Sequence, residues 1–234
     1  MTSPDGSPPD VGVVIVAAGA GARAGPGEPK QFRPILGVPM LLRALRPFTS
    51  HPEVGHVVVA LPAGFETRPP EWLGKLVGER LILVAGGAAR AHSVRAGLRG
   101  LPQHVTIVLI HDGARPFVTR DTIDGVLAKA RSGIGAIAAI PVSDTVKDVE
   151  HSRITRTVAR ERLWRAQTPQ AFPRAMIERA YAGLRNGDPP PTDDAELCER
   201  AGLPVEVVPD SPYNLKVTTA EDFRIAEALA RELR

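Results

Sequence analysis

VGVVIVAAGAGARAGPGEPKQ, residues 11–31, is the stretch on which the fold turns. Val11–Val16 is an unbroken apolar run rich in β-branched residues, without polar alternation. Such a run marks a strand buried on both faces, as in a parallel sheet. It passes directly into Ala17, Ala18 and Gly19, and then into a loop where Gly25, Pro26, Gly27 and Pro29 exclude an early helix. The runs at 56–61 (HVVVAL), 80–84 (RLILV), 105–110 (VTIVLI), 136–141 (AIAAIP) and 205–208 read the same way. Helical stripes lie between them. Leu41, Ala44, Leu45 and Phe48 follow the i, i+3, i+4, i+7 spacing, and Ile123, Val126, Leu127 and Ala130 repeat it. Met176, Ile177, Ala180, Tyr181 and Leu184 form a third stripe. A fourth, over Phe223, Ala226, Ala230 and Leu233, is entered through a capping box of Thr219 and Asp222. Alternating strands and helices predict a doubly wound, mostly parallel α/β sheet of Rossmann-like type.

No internal repeat or long linker divides the chain, so residues 11–234 read as a single domain. The first ten residues, MTSPDGSPPD, are polar and proline-rich and predict a disordered terminus. Hydrophobic residues at 43% and charged residues at 24% exclude wholesale disorder. The single cysteine, Cys198, excludes an internal disulfide and favours a reducing compartment, the cytoplasm. It sits beside Leu197 on an apolar helix face, which suits buried filler. No apolar stretch is long enough for a membrane span. A net charge of +3, with the lysines and arginines scattered rather than in a tract, argues for small phosphorylated ligands over nucleic acid.

Residues 142–164, VSDTVKDVEHSRITRTVARERLW, break the rhythm. Val146 and Val149, then Ile154 and Val158, are embedded in polar residues, and 150–153 suits a turn. The pattern predicts a protruding β-hairpin arm too polar for a core. An isolated hairpin is marginal in water, so this one should lean on another surface.

The chemistry should lie just after the strands, where such sheets bind ligands. Gly19, Gly21 and Ala24 formally fit G-x-G-x-x-G/A, but the prolines that follow and the absence of an acid after the next strand rule out a dinucleotide site. Lys30 stands between Pro29 and Gln31, so the phosphate-loop motif of NTPases fails as well. What remains is a loop of small residues with exposed backbone N–H groups and two cations, Arg23 and Lys30, suited to a polyphosphate. Asp112 follows the run at 105–110, where a carboxylate can hold Mg²⁺ or a ribose, and Arg115 could contact a substrate phosphate. In GGAARAHS (86–93), Gly86 and Gly87 would offer backbone to a base edge and Ser93 a hydroxyl. His111 has no second ligand at metal spacing and reads as structural.

G-x-G-x-R followed by P-K resembles the signature of nucleotidyltransferases. With Gln31 added it resembles the 2-C-methyl-D-erythritol 4-phosphate cytidylyltransferases of the non-mevalonate isoprenoid pathway. The resemblance continues in order through HDGARP (111–116), PVSDTVK (141–147), LWRAQTPQAF (163–172), TDDA (192–195) and NLKVT (214–218). It implies a nucleotidyltransferase fold that joins CTP to 2-C-methyl-D-erythritol 4-phosphate (MEP), releasing pyrophosphate with the help of Mg²⁺ or another divalent cation near Asp112. It implies catalytic roles for Arg23, Lys30 and Lys216, and a nucleotide site of Ala17, Ala18, Gly19, Gly21, Gly86, Gly87, Ser93, Asp112 and Gly113. MEP would then meet Arg115, Thr145, Arg160, Thr168, Thr192 and Lys216, with arm 142–164 exchanged in a homodimer. Where the family usually has an acid soon after the two glycines, this chain has Ala88 and Ala89, which leaves the base to backbone groups and Ser93. The alternatives are a related transferase acting on ribitol phosphate or another sugar phosphate, and a non-catalytic nucleotide-binding regulatory module. Arg23, Lys30, Asp112 and Lys216 together argue against the second.

Overall fold

The structure is a computed structural model that describes residues 9–19, 28–185 and 187–233. Its centre is a seven-stranded sheet. In chain order the strands are β1 (Val11–Val16), β4 (Val54–Leu61), β5 (Leu81–Ala85), β6 (Ile107–Asp112), β7 (Gly135–Pro141), β10 (Trp164–Pro173) and β11 (Val205–Pro209), with spatial order β11-β7-β10-β6-β1-β4-β5. Every pairing is parallel except those of β10, which runs antiparallel to both β6 and β7. A small ribbon, β2 (Pro34–Ile35) with β3 (Val38–Pro39), precedes the first helix.

Side-chain alternation along the strands sorts two apolar layers. Val13, Ile15, Val57, Val59 and Leu109 face α1 (Met40–Thr49) and α4 (Arg120–Arg131). Val14, Val58, Val108 and Ile110 face α3 (Arg90–Gly100), α5 (Arg174–Ala182) and α6 (Asp194–Arg200). Period-two alternation with both faces covered is what the uninterrupted strand runs require. A single helical turn, α2 (Glu71–Gly74), adds Leu73 to the first layer. The last helix, α7 (Ala220–Glu232), forms a third cluster with Ile35, Met40 and Val217, and its Thr219–Asp222 capping box is complete. At Gly97 a β-carbon would lie 2.3 Å from Val14 Cγ1, so only glycine lets α3 sit this close to β1.

The terminus departs from the expectation of disorder through residue 10. The Asp10 carbonyl accepts from the Thr106 N–H at 2.9 Å, and its carboxylate lies 3.0 Å from Arg131. The domain therefore includes Asp10, and residues 1–8 lie outside the described residues.

The arm is a hairpin of β8 (Val146–Glu150) and β9 (Arg153–Val158). Its turn places His151 at φ 46° and Ser152 at φ 66°, the doubly left-handed geometry that matches strand twist in tight hairpins. Trp164 pairs with Pro141, and the Val142 N–H donates to the Leu163 carbonyl, so the arm grows out of β7 and β10. It has no core of its own: Val149 is 52% exposed and Ile154 64%.

Candidate active site

Three connections at the carboxyl edge of the sheet enclose the main cleft. They follow β1 (Ala17 to Gly19), β5 (Gly86 to Arg90) and β6 (Gly113 to Arg115). The cleft measures about 600 Å³ and is lined by Ala17, Ala18, Gly19, Lys30, Gly87, Ser93, Asp112, Gly113 and Lys216, together with Gln31, Ala88, Ala89 and Arg90. Its floor is fixed by backbone. The Ala17 N–H donates to Ala60 O at 2.9 Å, and the Gly113 N–H donates to Val16 O at 2.9 Å. Buried Gln31 donates its amide to Ala17 O at 2.9 Å and ties the far end of the loop to β1. Gly21 and Arg23 lie outside the described residues.

Gly86 packs beneath this cleft rather than lining it. A β-carbon there would stand 2.2 Å from Ala18 Cβ, so the two loops touch as backbone against methyl. Ser93 does line the cleft, but its hydroxyl accepts from the Gly87 N–H at 3.1 Å and reaches back to Ala89 O at 3.4 Å. Its first task is to shape the Gly87 turn. Lys30 is half-buried, and its Nζ donates to Val217 O at 2.9 Å. That bond binds the loop after β1 to the segment before α7.

A second cleft of about 240 Å³ adjoins the first and is lined by Arg115, Ala166, Gln167, Thr168, Gln170, Thr192 and Asp193. Arg90, Asp112 and Lys216 line both clefts. The Asp112 carboxylate lies 3.2 Å from Arg90 Nε through Oδ1 and 2.7 Å from Lys216 Nζ through Oδ2. Burial would raise the Asp112 carboxyl, yet Arg90, Lys216 and Arg115 outweigh burial and hold it below the ordinary aspartate range. Burial works against the Arg90 charge too, but Asp194 and Asp112 hold that guanidinium above its usual value.

β10 supplies the second cleft's wall and was not legible as a strand. Its buried polar side chains, Gln167, Thr168 and Gln170, each find a partner. Thr168 Oγ1 accepts from the Asp112 N–H at 3.0 Å and meets His111 Nδ1 at 3.1 Å. The Gln167 and Arg115 side chains both donate to Asn214 O, at 3.0 and 2.6 Å. Fully buried Asn214 returns a bond to Thr168 O at 2.8 Å. His111 is enclosed, bonded to Arg115 O at 3.0 Å, and pushed down to about 4 by burial, so it is neutral and structural. Arg115 Nε and Gln167 Oε1 are buried without a hydrogen-bond partner among the described residues. Buried polar atoms of this kind are usually satisfied, and these two sit in a cavity wall. Thr192 is not the helix cap that sequence allowed: Asp193 caps α6, while Thr192 gives both its N–H and its hydroxyl to Glu196.

Thr145 and Arg160 line neither cleft. They flank the arm, exposed, with Arg160 donating to Ser143 O. Arg90 is the residue that sequence reasoning passed over. A basic side chain in the first turn of a helix opposes the helix dipole, and that mismatch was the available signal of a buried acidic partner.

A mostly parallel sheet whose glycine-lined cleft opens onto a second, cation-lined cleft at a shared aspartate is the arrangement a nucleotidyltransferase needs, two anionic substrates meeting at one border. The chain belongs to the family described as IspD, 2-C-methyl-D-erythritol 4-phosphate cytidylyltransferase, whose profile matches residues 11–232. It is 40% identical over 231 residues to the 2-C-methyl-D-erythritol 4-phosphate cytidylyltransferase of Syntrophus aciditrophicus, covering 96% of this chain and 97% of that one. It is 41% identical over 221 residues to that of Salinibacter ruber, covering 93% and 91%. The chain spans 56% of the length of the bifunctional IspD/IspF enzyme of Paracoccus denitrificans, with 44% identity over 95% of its own length. The crystal structure of the cytidylyltransferase from Thermus thermophilus superposes with TM-score 0.80 at 36% identity, covering 95% of this chain and 99% of that one. The activity of the family is accordingly that of this chain: MEP and CTP give 4-diphosphocytidyl-2-C-methyl-D-erythritol and pyrophosphate, in isoprenoid biosynthesis.

Proposed function

We propose that the larger cleft takes CTP, that the smaller takes MEP, and that the transfer occurs where Arg90, Asp112 and Lys216 border both. The shared border is the observation that supports this division. A phosphate oxygen of MEP attacks the α-phosphorus of CTP; one P–O bond forms and the bond to pyrophosphate breaks. The nucleophile is already anionic, so no general base is needed. The task is to bring two anions together and neutralise the charge that builds on the leaving group. Lys30 and Arg23 hold the triphosphate. Lys216 holds the α-phosphate. Arg115, with its unpartnered Nε, meets the phosphate of MEP beside Thr168 and Thr192.

A divalent cation, Mg²⁺ or another, suits this donor set: Asp112 is the carboxylate lining the larger cleft among the described residues, and it is held ionised. Asp112 and the nucleotide phosphates would hold it. When bound, such a cation supplies charge neutralisation on phosphate oxygens. With Ala88 and Ala89 in the cleft wall, the base is read by backbone groups near Gly87. That favours a pyrimidine over a purine by size, and the family's activity supports CTP as the pyrimidine.

The enzyme acts as a homodimer in the cytoplasm, each arm carrying its Thr145 and Arg160 to the partner's second cleft. The exposed apolar residues of the arm support this, as does the free, buried Cys198 for the compartment. The described residues contain no helix long and apolar enough to cross a membrane.

The test is pyrophosphate release with each NTP crossed against methylerythritol, ribitol and erythritol phosphates. The expected result is turnover with CTP and MEP alone, and purine nucleotides as active as CTP would overturn the base assignment.

A further inference from the structure

Behind the shared border lies a buried carboxylate that the reaction itself does not use. Asp194, in the first turn of α6, has no exposed surface and lines neither cleft. Its Oδ1 accepts from the Tyr181 hydroxyl of α5 at 2.6 Å. Its Oδ2 lies 2.7 Å from a terminal nitrogen of Arg90. The backbone N–H groups of Asp194 and Ala195 donate to Gln170 Oε1 of β10, both at 3.1 Å. Arg90 continues the chain through Nε to Asp112 Oδ1 at 3.2 Å. Three elements thus converge on Asp194, and its carboxylate reaches the site through one side chain, Arg90.

A buried ion pair is a poor source of stability, because desolvating both charges offsets their attraction. It is a good source of geometry. Without Asp194, Arg90 would be free to turn toward phosphate in either cleft. With it, the guanidinium is held between two carboxylates, through a terminal nitrogen to Asp194 and through Nε to Asp112.

We propose that Asp194 is a positioning residue, acting through Arg90 to fix Asp112 at the border of the two clefts. This deepens the division of the clefts given above and rests on it.

The test is Asp194→Asn, which keeps the volume and an acceptor for Tyr181 but removes the charge that holds Arg90. In folded protein kcat should fall by about 10- to 100-fold, as for a misplaced reacting group, while KM for CTP moves by less than about threefold. A merely structural residue would lower the melting temperature and leave kcat of the folded fraction unchanged. Arg90→Lys combined with Asp194→Asn should be no slower than Arg90→Lys alone, because both changes break one chain; additive losses would overturn the proposal.

A second readout needs no substrate. In ligand-free enzyme the Arg90 Nε–H resonance should be sharp and slow to exchange, and Asp194→Asn should broaden it. A wild-type enzyme inactive on CTP and MEP would sink the reaction reading and leave this readout standing. An unchanged Arg90 resonance, or a released Arg90 with wild-type kcat, would sink the positioning role. If Asp194→Asn does not fold, Tyr181→Phe removes one bond to the same carboxylate. It should lower kcat by about threefold with the same resonance change, and wild-type kcat with a broadened Arg90 resonance would again refute the idea.

Discussion

The sheet edge and the arm present substrate-facing groups in opposite ways. At the sheet edge Asp112, Arg115 and Thr168 are buried, and each is bonded to neighbours on other elements. On the arm, Thr145 and Arg160 stand on a ribbon whose strands face solvent on nearly every residue. Side chains fixed by a core are pre-organised and lose little freedom when ligand arrives. Side chains on an unsupported ribbon gain fixed positions only when a second surface receives them. The proposed reaction therefore draws most of its contacts from a finished site and two, Thr145 and Arg160, from a part that is finished by assembly.

The sharpest way to break this contrast is to remove one charge from each region. Lys30→Met and Lys216→Ala should each lower kcat at least about 100-fold, the usual loss when a transition-state charge contact goes. Lys30→Met keeps the side-chain stem, so the loss of its bond to Val217 O should leave a folded protein, as circular dichroism would report. Arg160→Ala should be similarly inactive, and it divides the regions. Unfolding Lys30→Met with Arg160→Ala and refolding them in equal amounts makes half the dimers mixed by random pairing. One site of each mixed dimer carries both defects and the other carries neither. Activity should return to about a quarter of wild type. A mixture that stays inactive despite confirmed heterodimers would place Arg160 in its own subunit's site.

The same contrast explains what could be read from the sequence. β1, β4 and β6 were plain because strands covered on both faces are apolar throughout. The arm was plain for the opposite reason, since valines set among charges fit neither core nor coil. β10 was missed. Gln167, Thr168 and Gln170 look like a polar loop, and only their distant partners Asn214, His111 and Asp193 make a buried strand of them. α3 was missed because glycine and arginine dilute its apolar stripe. Lys30 and Asp112 were found because they follow strands at the ligand-binding edge. Arg90 and Asp194 were not, because their pairing joins residues far apart in the chain.

A smaller effect should follow from pH, and its main source lies at the sheet edge. Burial lowers the His111 imidazole to about 4, whereas an unfolded histidine titrates near 6.5. Between these values the unfolded chain binds a proton that the folded chain refuses. Stability is therefore full above about pH 6.5, falls as the pH drops toward 4, and levels off below that for this group, losing of order 3 kcal/mol. Asp112, held below the ordinary aspartate range, contributes its loss further down and does not blur this window. Denaturant midpoints measured from pH 7 to 4 should show the slope, and His111→Gln should reduce it to the part contributed by His56, which burial also lowers. An equal slope in that variant would mean that the enclosed histidine is not its source.

The smallest expected effect tests the arm. Ile154 is 64% exposed and lies two residues from the hairpin turn, so it contributes almost nothing to the subunit's own core. Ile154→Ser should change the denaturant stability of a dilute, dissociated subunit by less than about 0.5 kcal/mol, as surface substitutions usually do. In an assembled dimer the same side chain would be covered, and burying an isoleucine contributes about 1.5–3 kcal/mol. Sedimentation of wild type and variant over a concentration series separates the two cases. Ile154→Ser should move the dimerisation midpoint to roughly tenfold higher concentration or more, while each subunit melts as before. Activity should follow the dimer fraction rather than the folded fraction, because each second cleft would receive Thr145 and Arg160 only from a partner. If dimerisation and activity are both unmoved, the arm is a solvated ribbon, and the two regions differ in exposure without differing in function.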